Sequence, residues 1–172
     1  MDNRVLVVYA SKYGATAEIA EKITQVLRQA GLHTDVSLVD RVRDLTPYQA
    51  VVLGSAVYAG KWRKEAEKFL RANEKPLGER RVWLFSSGPT GKGDPGELTR
   101  GWRFPATLQI IADRIKPKDI ALFHGSVDVN KLNFIEKQML TNVNALTGDY
   151  RDWQAITSWA ISIADSLRSS VS

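Results

Sequence analysis

Short apolar runs alternate along the chain with longer stretches in which apolar residues recur every three or four positions. These strand-like runs lie at residues 4–9, 34–39, 50–53, 81–85 and 119–123, of which only 34–39 (TDVSLV) is as polar as it is apolar. Each run holds only four to six residues, and several of these are β-branched, which favours a buried strand over a buried helix. We therefore predict five strands and number them one to five in chain order.

Helical periodicity follows four of these runs, at residues 15–30, 65–72, 106–115 and 153–167. Gly31 stands directly after the first helical stretch, where a glycine commonly ends a helix. Regular alternation of buried strands with helices is typical of a parallel sheet that helices cover on both faces. The pattern predicts an α/β fold with an open, doubly wound parallel sheet and right-handed crossovers.

The stretch at residues 129–148 does not belong to this alternation. Its apolar residues recur at steps of three and four, namely Leu132, Ile135, Met139, Leu140, Val143 and Leu146. This spacing predicts an extra amphipathic helix, inserted between strand five and the last helix. Two interpretations of its apolar face stay open: packing on the domain, or docking on a membrane periphery or a partner.

Length and composition indicate a single domain and exclude several kinds of functional site. The 172 residues suit one domain, so residues 1–172 are predicted to form a single domain. The chain has no cysteine, which excludes disulfides, thiolate nucleophiles, iron–sulfur clusters and thiolate zinc sites. His33 and His124 have no further ligand at metal-binding spacing, so no metal site is predicted. No apolar run approaches the roughly 20 residues that span a bilayer, and the expected location is cytoplasmic.

The charge balance favours an anionic partner. Lys and Arg number 24 against 19 Asp and Glu, which gives a formal net charge of +5. Such a charge suits an acidic small molecule, a phosphate group or an anionic membrane surface. The basic residues spread over several helical faces without a nucleic-acid-binding motif, so no nucleic-acid partner is predicted.

The loops that leave the strands carry the candidate chemistry, because ligands of open parallel sheets bind beyond the carboxyl ends of the strands. The first loop follows strand one and consists of Ser11, Lys12, Tyr13, Gly14, Ala15 and Thr16. Two hydroxyls flank a glycine at a helix start, where free backbone amides suit a phosphate monoester. The alternative is an ordinary helix cap by Ser11 or Thr16.

Two further loops follow strands three and four. The second loop consists of Ser55, Ala56, Val57, Tyr58, Ala59 and Gly60, and the third of Ser86, Ser87, Gly88, Pro89, Thr90 and Gly91. Gly60 exposes backbone groups at little steric cost. Tyr58 or Trp62 offers a flat face for stacking, although core packing explains each aromatic equally well.

The three loops carry a resemblance to a known family. The segment YASKYGATAEIA resembles the phosphate loop of flavodoxin-like FMN-binding proteins, and AVVLGSAVYAGKW and WLFSSGPTG resemble their two flavin-ring loops. The inserted helix followed by GDYRDWQAITSWAISIA is similar to the long-insert, menaquinone-dependent protoporphyrinogen dehydrogenase group. The resemblance covers nearly the whole chain.

The resemblance implies a five-stranded sheet in the order 2-1-3-4-5 with FMN as the cofactor. It implies that the first loop holds the phosphate and that the second and third loops flank the isoalloxazine ring. No catalytic side chain is then required. Many electron-carrying flavodoxins have acidic surfaces and aromatics on both ring faces. This chain is basic and has no aromatic in SSGPTG, so the second face is open to substrate or to Trp102 and Phe104.

Three functions follow as expectations. The first is an FMN-dependent oxidoreductase that passes electrons from an anionic organic substrate to a quinone-type acceptor. The second is a flavodoxin-type electron carrier that works with a redox partner protein. The third is a flavin-free binding or regulatory module on the same scaffold.

Overall fold

The computed structural model describes residues 4–142 and 147–169. Its strands are β1 (Arg4–Ala10), β2 (His33–Leu38), β3 (Tyr48–Tyr58), β4 (Lys61–Trp62), β5 (Arg81–Ser87), β6 (Asp119–Phe123), β7 (Ser126–Val127) and β8 (Gly148–Asp149). Its α-helices are α1 (Ala15–Gln29), α2 (Lys64–Ala72), α3 (Glu74–Gly78), α4 (Pro95–Leu98), α5 (Gln109–Ile115), α6 (Phe134–Asn142) and α7 (Trp153–Ser169). Short 3-10 turns lie at Val39–Arg41, Ala106–Leu108 and Val129–Lys131.

The predicted sheet is confirmed. Its order is β2-β1-β3-β5-β6, and all four strand pairs along this path are parallel. In the numbering of the five predicted strands this is 2-1-3-4-5. The helical insertion after the fifth of these strands is present as well.

Helices cover the sheet on both faces, as the apolar runs predicted. Leu6 and Val8 of β1 belong to a core with α2, α3 and α5, while Val5 and Val7 belong to a second core with α1 and α7. Alternate residues of a strand point to opposite faces, so a strand buried on both faces must be apolar at every position. This requirement produces the continuous apolar runs.

The third predicted strand is longer than its sequence indicates. The sequence pattern predicts residues 50–53, with the strand stopping at Gly54, but β3 spans Tyr48–Tyr58, and Ser55 and Ala56 pair with β5. The glycine is needed for close approach, because a Cβ at Gly54 would overlap the ring of Phe85. The prediction was therefore wrong in treating this glycine as a strand end.

Two short helices were not predicted. Helix α3 contains Pro76 in its first turn, where a backbone N–H has no intrahelical acceptor, so proline is tolerated. Helix α4 begins with Pro95 at its first position, and the side chain of Asp94 accepts a hydrogen bond from the amide of Glu97 at 3.1 Å.

The inserted segment differs from the single helix predicted over residues 129–148. Helix α6 spans only Phe134–Asn142, and β7 and β8 pair as an antiparallel ribbon at the base of the segment. Ile135 is 69% exposed and does not pack on the domain, and its neighbour Phe134 is 76% exposed. Val143 and Leu146 lie outside the described residues, as do the side chains of Met139 and Leu140.

No helix in the described ranges combines the length and the apolar character that crossing a bilayer requires.

Candidate functional site

The fold brings the three candidate loops together at one edge of the sheet. The first follows β1, whereas residues 55–58 of the second loop form the end of β3 and residues 86–87 of the third form the end of β5, so these residues were wrongly predicted as loop. The three strands are adjacent and parallel, so their carboxyl ends lie side by side. The first and third loops are also joined directly, because Thr16 Oγ1 and Ser87 Oγ lie 3.0 Å apart in a buried hydrogen bond. The second loop, residues 55–60, lies between the other two, because β3 pairs with β1 on one side and with β5 on the other.

The first loop turns through a left-handed glycine. Gly14 has φ +94° and is the N-cap residue of α1, a conformation that favours glycine. The hydroxyl of Ser11 accepts a hydrogen bond from the Gly14 amide at 3.1 Å and closes the loop on itself. Neither Ser11 nor Thr16 caps α1, since the helix has no side-chain cap. The cap interpretation of these hydroxyls is therefore wrong.

The start of α1 offers backbone donors. Within the described residues, the amides of Ala15, Thr16 and Ala17 have no hydrogen-bond acceptor. The first amides of a helix point outward, and the helix dipole adds partial positive charge there. Three such amides beside the Ser11 hydroxyl form a donor set that fits a phosphate group.

The second loop is a β-hairpin. Strand β4 pairs antiparallel with the end of β3, and Ala59 and Gly60 form the turn with φ +51° and +74°. The Ser55 hydroxyl donates to Ala56 O at 2.8 Å and accepts from the Arg63 amide at 3.0 Å, so it closes the hairpin. The turn residues themselves are exposed and present backbone groups outward.

Tyr58 is the exposed aromatic of this hairpin, at 48% exposure. Partial burial raises the pKa of its phenol. The positive charges of Arg63 and Lys12 lower this pKa, and the negative charge of Glu136 raises it.

Trp62 and Phe104 belong to the core and not to an exposed ring face. Trp62 is 3% exposed, and its indole Nε1 donates to Ser86 Oγ at 2.8 Å. Phe104 is 8% exposed and meets Trp62 edge-on, with ring centroids 5.1 Å apart. Of the two interpretations left open for Trp62, core packing is therefore the correct one. Phe104 is likewise buried, whereas Trp102 is half-buried outside this pair.

The third loop is bound by residues at the end of β6 and directly after it. Gly88 N donates to Phe123 O at 3.2 Å, and a Cβ at Gly88 would lie 3.2 Å from Val57 Cβ. The buried ring of His124 contacts Pro89 O through Nδ1 at 3.1 Å and Gly93 O through Nε2 at 2.6 Å. His124 therefore fixes the backbone of this loop.

The eighteen candidate residues divide into two groups. Buried residues build the loops, namely Thr16, Ser55, Ala56, Ser86, Ser87 and Gly91. The remaining residues are exposed or half-buried, namely Ser11, Lys12, Tyr13, Gly14, Ala15, Val57, Tyr58, Ala59, Gly60, Gly88, Pro89 and Thr90. The second group and Ala17 are thus the part of the site that meets solvent, whereas Thr16, whose amide also has no acceptor in the described residues, is 1% exposed.

Glu136 of α6 is a site residue that the sequence did not reveal. Its Oε2 accepts hydrogen bonds from Lys12 Nζ at 2.8 Å and from the Tyr13 hydroxyl. These bonds lower the pKa of Glu136 to about 2. Asn133 stands three residues earlier, a spacing that predicts a helix start near residue 134. Nothing in the sequence indicates a contact with a loop more than a hundred residues away.

Comparisons with known proteins agree with the fold and identify the family. A family model described as "Flavodoxin domain" matches residues 6–154. The chain is 20% identical over 172 residues to the protoporphyrinogen IX dehydrogenase (quinone) of Escherichia coli (strain K12), with 94% of each chain covered.

Solved structures show the same fold. A flavodoxin from the domain Archaea matches with a TM-score of 0.64 at 16% identity, covering 96% of this chain and 99% of that one. Flavodoxin 2 from Bacillus cereus matches with a TM-score of 0.59 at 18% identity, covering 95% and 99%. At these identities the likeness concerns the fold.

Proposed function

Because the chain belongs to the flavodoxin family, we propose that it is an FMN-dependent oxidoreductase whose first loop holds the phosphate of the cofactor. The predicted resemblance to the flavodoxin family is confirmed, and membership implies a flavin. The observation that carries the proposal is the start of α1, where three amides have no acceptor within the described residues.

The residues of the site have distinct roles in this proposal. The amides of Ala15, Thr16 and Ala17 and the Ser11 hydroxyl bind the phosphate. The exposed hairpin turn at Ala59 and the third loop, residues 86–91, flank the ring and offer it backbone donors and acceptors. When bound, FMN supplies the electron-accepting chemistry, so no side chain of the protein needs to react.

The reaction we propose is oxidation of an anionic organic substrate with a quinone-type acceptor. The E. coli relative is named as a dehydrogenase that uses a quinone, and the match covers 94% of both chains, so it takes in at least part of the inserted segment. The net charge of +5 supports an anionic substrate. It also sets this chain apart from the many carrier flavodoxins that have acidic surfaces.

The test is turnover of protoporphyrinogen IX by FMN-loaded protein under anaerobic conditions, with menadione as the acceptor. Porphyrin fluorescence should appear at a rate proportional to protein and should stop when menadione is left out. Free FMN at equal concentration is the control for uncatalysed oxidation. If the flavin-loaded protein is no faster than this control, the proposed substrate and acceptor are wrong.

An electron carrier is the second candidate, favoured by the exposed Tyr58 in the second loop. A reductive titration separates the two functions. A carrier takes up electrons in two resolved one-electron steps, whereas the proposed oxidoreductase is reduced directly by two electrons. Protein that stays colourless after FMN is added would instead support a flavin-free module.

A further inference from the structure

The inserted segment is fixed at its base to the start of α1. Arg151 follows β8, and only 9% of its side chain is exposed. Its guanidinium binds Asp149 at 2.7 Å, lies 3.5 Å from a Glu18 carboxylate oxygen and donates to Ala15 O at 3.3 Å. The base of the segment therefore has a defined position relative to the first loop.

The far part of the segment contacts the first loop itself. Lys131 Nζ donates to Tyr13 O at 3.3 Å, and Glu136 binds Lys12 and Tyr13 through one carboxylate oxygen. Glu136 is held in place by Asn133. The Glu136 amide donates to Asn133 Oδ1 at 2.8 Å, and the Asn133 amide donates to Glu136 Oε1 at 3.2 Å. Both carboxylate oxygens are thus engaged.

This arrangement places a carboxylate beside a loop that is otherwise built for an anion. Lys12 is the cationic side chain of that loop, and its ammonium lies 2.8 Å from Glu136 Oε2. A phosphate at the amides of Ala15 and Thr16 carries up to two negative charges. The Glu136 carboxylate repels a bound phosphate. It also pairs with the Lys12 ammonium, which would otherwise attract the phosphate.

We propose that Glu136 is a specificity-determining residue of the flavin site. Its carboxylate competes with the phosphate of FMN for Lys12 and so limits the preference of the site for FMN over riboflavin, which lacks the phosphate. The inference rests on the proposed binding of FMN at the first loop. By linkage, phosphate binding also weakens the contact between α6 and the first loop to the same extent.

The test compares FMN and riboflavin affinities of the wild-type protein, Glu136→Gln and Lys12→Gln by flavin fluorescence quenching at low salt. Glutamine keeps the acceptor oxygen for Tyr13 and removes the charge. We expect Glu136→Gln to bind FMN about threefold to tenfold more tightly, with riboflavin affinity unchanged, and the gain to fade near 1 M salt. Lys12→Gln should bind FMN more weakly and riboflavin as before.

Glu79→Gln is the matched control. It removes one carboxylate from an exposed residue just before β5 begins, at the amino edge of the sheet, so flavin affinities should not change. Hydrogen exchange of residues 134–142 supplies a readout that does not depend on activity. In the wild-type protein FMN should speed this exchange, and riboflavin should not.

The outcomes separate the inference from the function on which it rests. If wild-type protein binds FMN but Glu136→Gln leaves its affinity unchanged, or weakens FMN and riboflavin equally, Glu136 has only a structural role and the inference is wrong. If wild-type protein binds neither flavin, the proposed function fails together with the inference.

Discussion

The buried hydrogen bond between the first and third loops is open to a direct energetic test. Thr16 is 1% exposed and Ser87 is 3% exposed, and their hydroxyl oxygens lie 3.0 Å apart. Thr16→Val keeps the shape of the side chain and leaves the Ser87 hydroxyl buried without its partner. A buried polar group left unpaired costs about 1–3 kcal/mol, so the free energy of unfolding should fall by that amount.

A double-mutant cycle isolates the bond from other effects. Ser87→Ala alone should cost a similar amount, and the double variant should cost little more than either single one. The coupling energy should be about 1 kcal/mol or more, because the two hydroxyls satisfy each other. Urea unfolding of the four proteins measures these values, and each kcal/mol corresponds to a shift of about 2–4 °C in Tm for a chain of this size.

Thr24→Val is the matched control on the same helix. Thr24 is also buried, but its hydroxyl donates to Ala20 O at 2.8 Å, a carbonyl of its own helix. Its removal should therefore cost less than Thr16→Val and should add to Ser87→Ala without coupling. If the free-energy costs of Thr16→Val and Ser87→Ala also add without coupling, the bond does not join the loops and our description of the site is wrong. FMN affinity of Thr16→Val should fall by about 1 kcal/mol, since the two loops are no longer tied.

Three further predictions concern the same edge of the sheet and its support. Gly54→Ala should lower the free energy of unfolding by about 3 kcal/mol in urea unfolding, because the added methyl group overlaps the ring of Phe85; an effect below about 1 kcal/mol would contradict this packing. Ser86→Ala should cost about 1–3 kcal/mol in the same assay, because it leaves the buried indole N–H of Trp62 without its acceptor, and a neutral result would show that the indole has another partner. Partial burial and a hydrogen bond to a carboxylate raise the pKa of Tyr48 to about 12. The contribution of the Tyr48 phenol to the free energy of unfolding should be complete below pH 10 and be lost as pH rises towards 12. Phenolate absorbance and unfolding, both measured over that range, check this. Ionisation of Tyr48 at the usual pH for tyrosine would contradict it.

The fold was largely predictable because burial on both faces leaves a strong sequence signal. Strands such as β1 are apolar throughout their buried centre, here Val5 to Val8, and α1 shows its buried face at helical spacing. The end of β3 was not predictable in the same way. Gly54 has the sequence appearance of a strand end, and only its contact with Phe85, far along the chain, shows why a glycine stands inside the strand.

The meeting of the three candidate loops at one edge of the sheet was predictable, but the orientation of their side chains was not. The glycine and hydroxyl residues of the first loop indicate an anion site. They do not tell that the Thr16 hydroxyl binds Ser87 while the backbone amides stay free. The contact of Glu136 with Lys12 depends on where the inserted segment folds back, and no local pattern encodes that path.

The binding of flavin with and without its phosphate tests the central claim most directly. If only two of the three amides form charge-assisted hydrogen bonds to the phosphate, these are worth about 3 kcal/mol or more together. Wild-type protein should therefore bind FMN at least about a hundredfold more tightly than riboflavin. Equal Kd values for the two flavins, measured by fluorescence quenching in the same buffer, would show that the amides of Ala15, Thr16 and Ala17 do not bind a phosphate.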